Sequence, residues 1–369
     1  MRKIKTFLKK EPVLSISALV AIASCFFTPP DREYLGYIDF RTIVLLYCLM
    51  AAVAGFTKAG LFANLAHNLC IRSSNSRSLA LILIALCFFS SMLITNDVAL
   101  LTFVPFAIAV LGVAGKKRLI LPVVILQTVA ANLGSMLTPP GNPQNIHLFS
   151  HYSMSAGEFF SATAPICLVS ALLTGAACLF LKKEAVTVSI GECPAIDKRE
   201  LLLSALLFAG SLLVVFRAME WYVLLPLFIA VCVIFDRHLL MKADFLLLLT
   251  FCCFFIFVGN LGRLESVRSA LAGLIEGREL IVSALLSQVI SNVPAAVLLS
   301  GFTESGRELL MGVNIGGLGT PIASLASLIS MKIYSSSPAA RSGRFMAVFL
   351  AVNFAMLAVL LAFAMIVMA

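Results

Sequence analysis

The sequence has little charge. Only 12% of its 369 residues are Asp, Glu, Lys or Arg, while 61% are hydrophobic. That scarcity excludes an ordinary soluble domain, whose elements pair an apolar face with a polar one. Runs of period two, which a membrane barrel requires, are also missing. No Gly-x-x-x-x-Gly-Lys-Ser/Thr loop occurs, so a nucleotide-driven motor is not encoded. Neither His-Glu-x-x-His nor Gly-x-Ser-x-Gly is present, which leaves a membrane-embedded enzyme as the disfavoured class. The ten cysteines show no zinc spacing and no disulfide framework. Cys25, Cys48, Cys87, Cys167, Cys178, Cys232, Cys252 and Cys253 lie inside apolar segments, where a thiol acts as a small hydrophobe. No cofactor is expected.

What the chain does have is apolar runs long enough to cross a bilayer, from end to end. They fall at 12–28, 39–57, 79–94, 97–113, 118–137, 158–181, 200–216, 221–235, 244–261, 279–290, 293–302, 309–330 and 344–368. In lipid only helices or closed barrels satisfy their backbone, so the fold class is an all-α polytopic membrane protein. The start is basic and then apolar, which reads as a first span rather than a signal peptide. Residues 279–290 and 293–302 are too short to cross, at about 18 and 15 Å against a hydrocarbon core of about 30 Å. They read as a re-entrant hairpin with its tip at Ser291-Asn292-Val293-Pro294. Residues 79–94 and 97–113, with the tip Thr95-Asn96-Asp97, are long enough to be two full spans, and length alone does not decide.

If both pairs are hairpins, nine spans remain and the N-terminus lies inside. Of the 27 Lys and Arg residues, only Arg32, Arg41, Arg217, Arg263, Arg268, Arg278 and Arg307 then fall outside. This is the distribution expected of cytoplasmic loops, and it accounts for the net charge of +9 without nucleic acid. It places the C-terminus outside and the protein in the plasma (inner) membrane.

Three landmarks recur in order. "DFRTIVLLYCLMAAVAGFTK" from Asp39 is answered by "DFLLLLTFCCFFIFVGNLGR" from Asp244. The tip "TNDVALL" is answered by "SNVPAAV", which pairs Asn96 with Asn292. "NLGSMLTP" from Asn132 is answered by "NIGGLGTP" from Asn314. Span 39–57 runs inward and 244–261 outward, so the two repeats are inverted. The expected domains are 1–38, an N-terminal span and loop; 39–181, the first repeat; 182–243, a connecting loop and central pair; and 244–369, the second repeat. Proline and glycine at the third landmark break a helix at mid-membrane. The backbone groups freed there, and the N-terminal ends of the new half-helices, are the usual materials of a transporter site.

The stretches "ITNDVALLTFVP", "LTPPGNPQN", "SNVPAAVLLS" and "NIGGLGTPIASLASLIS" resemble the ion transporter superfamily, which holds arsenite permeases, citrate carriers and sodium–dicarboxylate symporters. The resemblance spans nearly the whole chain. It implies a homodimer with a fixed scaffold and a moving transport domain that carries both hairpins. The dicarboxylate branch has Ser-Asn-Thr at both tips. Here Asp97 adds an ionisable group and Val293 removes a hydroxyl, which argues against a dicarboxylate.

The function expected is a secondary active transporter for a small anion or oxyanion, coupled to a sodium or proton gradient. A sodium/proton antiporter and an arsenite efflux permease are the alternatives. The substrate- or ion-binding residues expected are Thr95, Asn96, Asp97, Asn132, Gly134, Thr138, Gly141, Asn142, Ser291, Asn292, Asn314, Gly316, Gly317 and Thr320. A sodium ion would sit at the hairpin tips. Gln127 and Thr128 either line the cavity or bond a neighbouring helix. Lys58 and Arg263 read as span-end residues that snorkel, and His147, His151 and His238 as solvated loop residues.

Overall fold

In a computed structural model, the structure describes residues 12–186, 191–338 and 340–368. Arg2, Lys3, Lys5, Lys9 and Lys10 of the expected inner side lie outside the described residues. Among the described residues the chain is helical and forms no strand. An apolar sequence in lipid has no other way to pair its backbone within one segment.

The first part of the chain carries α1 (Pro12–Ser24), the short α2 (Tyr34–Tyr37), α3 (Phe40–Lys58) and α4 (Leu61–Cys70). A helical pair follows, α5 (Ser76–Ile94) and α6 (Asn96–Val113), then α7 (Ile120–Gly134). Two 3₁₀ turns, Ser135–Leu137 and Pro139–Gly141, separate α7 from α8 (Pro143–His151). Next come α9 (Ala156–Leu179), α10 (Lys198–Val215) and α11 (Trp221–Phe235). The second part carries α12 (Phe245–Gly262), α13 (Glu265–Ile275), the pair α14 (Glu279–Ile290) and α15 (Asn292–Ser300), and α16 (Gly306–Ile315). A 3₁₀ turn at Pro321–Ala323 precedes α17 (Leu325–Ser335), and α18 (Ser342–Met368) ends the chain.

Among the described residues, 7 helices are long and apolar enough to cross a membrane, and they include both arms of the first pair. The landmark residues act locally as their chemistry requires. Asp39 caps α3 by accepting from Thr42 N, and Asp244 caps α12 by accepting from Leu246 N and Leu247 N. Helices in lipid gain little from burying more apolar surface, so close packing of small residues holds them together. Ala51 and Ala52 of α3 are fully buried, and a Cβ on Gly55 would fall 2.1 Å from Ser204 Oγ of α10.

The two pairs are packed in the same way. The first arm of each lies on the helix that precedes its own break, α5 on α7 and α14 on α16. The second arm lies on the helix that leaves the opposite break, α6 on α17 and α15 on α8. The two breaks are thereby interlocked at the centre of the molecule.

The sequence reading misses α4, α8 and α13, which are short. For α8 the reason is local. Pro143 stands at the first helical position, where its missing N–H has no partner to lose. A Pro-rich stretch that reads as loop therefore starts a helix. This corrects the reading of His147, which is 2% exposed rather than solvated. Its Nε2 lies 2.9 Å from Ser300 Oγ, and its ring packs on Phe255.

Candidate functional site

Each tip is a single residue in an unusual backbone conformation. Thr95 has φ 68° and ψ 152°, and Ser291 has φ 76° and ψ 154°. Positive φ at a β-branched residue such as Thr95 is strained, and such strain persists only where the surroundings impose it. The helices that follow begin at Asn96 and Asn292, the matched asparagines. The breaks match as well. Asn142 (φ −148°, ψ 147°) and Ser324 (φ −144°, ψ 139°) are extended residues from which α8 and α17 start.

These four helix starts face one cavity of about 650 Å³. Asn96 and Asp97 come from α6, Pro143 and Gln144 from α8, Asn292 to Pro294 from α15, and Ser324 and Leu325 from α17 with its cap. Ser291, Asp244, Thr250 and Lys332 complete the polar lining, and Val13, Leu14, Leu246, Leu247, Leu328 and Ile329 the apolar one. A helix N-terminus carries about half a positive charge and free N–H groups. Four of them around one space form a site suited to an anion. Asp97 opposes that field. Its Oδ1 is buried and has no hydrogen-bond partner.

Of the residues expected from sequence, Asn96, Asp97, Ser291 and Asn292 line the cavity, and the others are not part of its lining. Asn132, 2% exposed, accepts from Asn96 Nδ2 at 2.9 Å and from Ser324 Oγ at 2.9 Å. Its own Nδ2 donates across to Ser327 Oγ at 3.3 Å and Gly317 O at 3.4 Å. Asn314 answers from the other break, donating to Asn145 Oδ1 at 2.7 Å and accepting from Gln144 Nε2 at 3.3 Å. Position 145 is to the first break what 327 is to the second. The two asparagines therefore tie each break to the helix that leaves the other.

The matched threonines bind their own helical pairs. Thr138 Oγ1 donates to Met92 O, and Thr320 Oγ1 donates to Gln288 O at 2.9 Å. Both acceptors lie three residues before a tip. Thr95, the first tip residue, is half-buried. Asn142 Nδ2 donates to Ser135 Oγ at 2.5 Å, and its Oδ1 has no partner.

The glycines correct the sequence reading. Gly134 (φ −64°, ψ −44°) and Gly316 (φ −64°, ψ −13°) have right-handed helical angles, so they supply no unusual backbone conformation. They supply closeness. A Cβ on Gly134 would sit 2.1 Å from Phe88 O, and one on Gly316 2.8 Å from Ala284 Cα. On Gly141 it would meet Ser135 O at 2.1 Å, and on Gly317 Asn292 Nδ2 at 2.9 Å. Among the glycines of the second break only Gly319, at φ 102°, needs the freedom of its type.

Gln127 and Thr128 take the structural alternative. Gln127 Nε2 donates to Leu83 O and Phe103 O on the two arms of the first pair, and Thr128 Oγ1 donates to Ser330 Oγ. Lys58 and Arg263 do more than snorkel. Lys58 Nζ lies 2.5 Å from Asp236 Oδ2 and 3.2 Å from Glu200 Oε2, and Arg263 Nη1 lies 2.6 Å from Asp31 Oδ2 and 3.6 Å from Glu33 Oε2. Sequence reasoning misses Gln144, Asp244, Thr250, Ser324 and Lys332. The offset from Asn142 to Ser324 was a usable signal for Ser324.

Residues 7–304 match the family model described as citrate transporter. The chain is 33% identical over 318 residues to an uncharacterized transporter of Methanocaldococcus jannaschii, covering 85% of this chain and 86% of that one. It is 33% identical over 327 residues to the inner membrane protein YbiR of Escherichia coli, again 85% and 86% of the two chains. A silicon efflux transporter of Oryza sativa is 32% identical over 140 residues, 37% of this chain and 28% of that one. The apolar helices, the interlocked breaks and the extent of these matches lead to one assignment. The chain is a multi-pass membrane transporter and belongs to the citrate transporter family.

Proposed function

We propose that the protein is a secondary active transporter that moves a small anion or oxyanion across the inner membrane, driven by a sodium or proton gradient. The observation that carries this reading is the meeting of four helix N-termini on one cavity. Their partial charges and free N–H groups recognise an anion without a dedicated arginine. Asp97 supplies the coupling. A bare carboxylate beside the anion would repel it and would cost several kcal/mol in lipid. A sodium ion or a proton at Asp97 removes both penalties, so ion and anion load together. Each hairpin and break belongs to one of two inverted repeats, and alternating access follows from their movement against the scaffold.

Uptake of radiolabelled candidate anions into proteoliposomes, under an imposed sodium or proton gradient, tests the reading. Accumulation that needs one gradient and collapses with it is expected. Equilibration without regard to either gradient would reject it. A second reading, an antiporter that exchanges cations alone, draws on the unpartnered Asp97 Oδ1. It predicts gradient-driven proton movement in vesicles that contain no oxyanion and no organic anion.

A further inference from the structure

Backbone carbonyls at and beside the breaks converge on two side chains. At the first break, Asn145 Nδ2 lies 3.0 Å from Thr138 O, 3.2 Å from Ser135 O and 3.4 Å from Met136 O. At the second, Gln288 Nε2 lies 2.8 Å from Gly316 O and 2.9 Å from Leu318 O, and 3.0 Å from Ala284 O one turn back on its own helix. In both places three carbonyl oxygens converge on one amide nitrogen, which has only two hydrogens to give.

The orientation of each amide is fixed from its other end. Asn145 Oδ1 accepts from Asn314 Nδ2 at 2.7 Å, and Gln288 Oε1 accepts from Thr320 N at 2.9 Å. The nitrogens are therefore the atoms turned toward the carbonyls. Neither residue lines the cavity. Nor are the two related by the repeat, since Ser327 answers Asn145 and Met92 answers Gln288. The same contact is made from α8 at one break and from α14 at the other.

Several carbonyls converging on one point are also what replaces the hydration shell of a monovalent cation. We propose that Asn145 and Gln288 are positioning residues whose amide nitrogens fill a latent monovalent-cation site at each break, holding the break in shape without an ion. This rests on the reading of the breaks as walls of the transport site. It deepens that reading, because it withdraws these carbonyls from the coupling ion and leaves Asp97 to bind it.

Gln288→Glu tests the idea with little change of shape. The variant keeps an acceptor for Thr320 N and puts an oxygen where the donor was. Asn145→Asp does the same at the first break. Thermal unfolding midpoints are measured in choline chloride, and then with sodium, potassium or ammonium replacing choline at constant ionic strength. Each variant is expected to gain about 2 °C or more for every tenfold rise in one of these cations above its Kd, beyond any gain in the wild type. If Gln288→Glu is not recovered folded in any salt, Gln288→Ala carries the test, with the same cation response expected. A response no larger than that of the wild type would overturn the proposal. The thermal readout does not depend on which substrate is carried, so failure here is distinct from failure of the transport assignment.

Discussion

Asp97 is the only acid at either tip, and its matched position holds Val293. It lines the cavity with one carboxylate oxygen buried and unpartnered. Asp97→Asn keeps the size but removes the charge. The variant should still bind the anion while losing the dependence of affinity on the driving ion. Substrate affinity measured against sodium concentration and pH in both proteins checks this, and an unchanged ion dependence would show that coupling lies elsewhere. Asn132 lies one layer further in. Asn132→Ala would strip a partner from Asn96 Nδ2 and Ser324 Oγ, each buried. A buried donor left unpaired costs about 1–3 kcal/mol. The expected outcome is loss of transport together with a lower unfolding midpoint, and Asn314→Ala should behave alike, since its amide meets Asn145 and Gln144. Wild-type transport in both variants would separate this brace from function.

At the scale of elements, the contact between each break and its own helical pair is set by glycine. Gly134 lets α7 reach the carbonyl of Phe88 on α5, and Gly316 lets α16 reach Ala284 on α14. A methyl group there has no room, because the opposing atoms are backbone. Gly134→Ala and Gly316→Ala should each destabilise by about 1–3 kcal/mol, the usual cost of overpacking. Gly175 in α9 has nothing within 4 Å of its missing Cβ. Gly175→Ala should therefore be neutral or stabilise by about 0.5–1 kcal/mol. Unfolding midpoints in one detergent rank the three, and equal effects would remove the packing argument. These elements also show what a sequence can disclose. The spacing of Asn132, Thr138 and Pro139, repeated at Asn314, Thr320 and Pro321, is enough to mark both breaks. The partners of these residues are not legible, because Met92, Phe88 and Gln288 are ordinary helix residues until the fold places them. The extent of α8 is hidden for a different reason: Pro143 both ends one pattern and starts another.

By the orientation expected from the sequence, the charges of the described residues divide between an inner and an outer side. At one, Lys58 meets Asp236 and Glu200, Lys116 meets Glu184 at 2.5 Å, and Arg77 donates to Leu181 O. At the other, Arg263 meets Asp31 and Glu33, and Arg217 donates to Ser153 O. The Arg263 pairs are exposed and worth about 0–1 kcal/mol each, whereas the acids that meet Lys58 are buried. Apolar length and basic loops make the helical membrane class legible, because the bilayer imposes both. The crossing of α6 onto α17 and of α15 onto α8 is not legible, since nothing in an apolar stretch names its partner. The orientation expected from the basic residues is open to direct test. Glu304, exposed between α15 and α16, should face outward, and Ser336, exposed after α17, should face the cytoplasm. Cys193 is the exposed cysteine among the native ten and is first replaced by serine. Single cysteines introduced at Glu304 and at Ser336 should then react with a membrane-impermeant thiol reagent from opposite sides of intact cells and inverted vesicles. If both reacted from one side, the second hairpin would not return to its own face, and the inverted arrangement of the two repeats would fall with it.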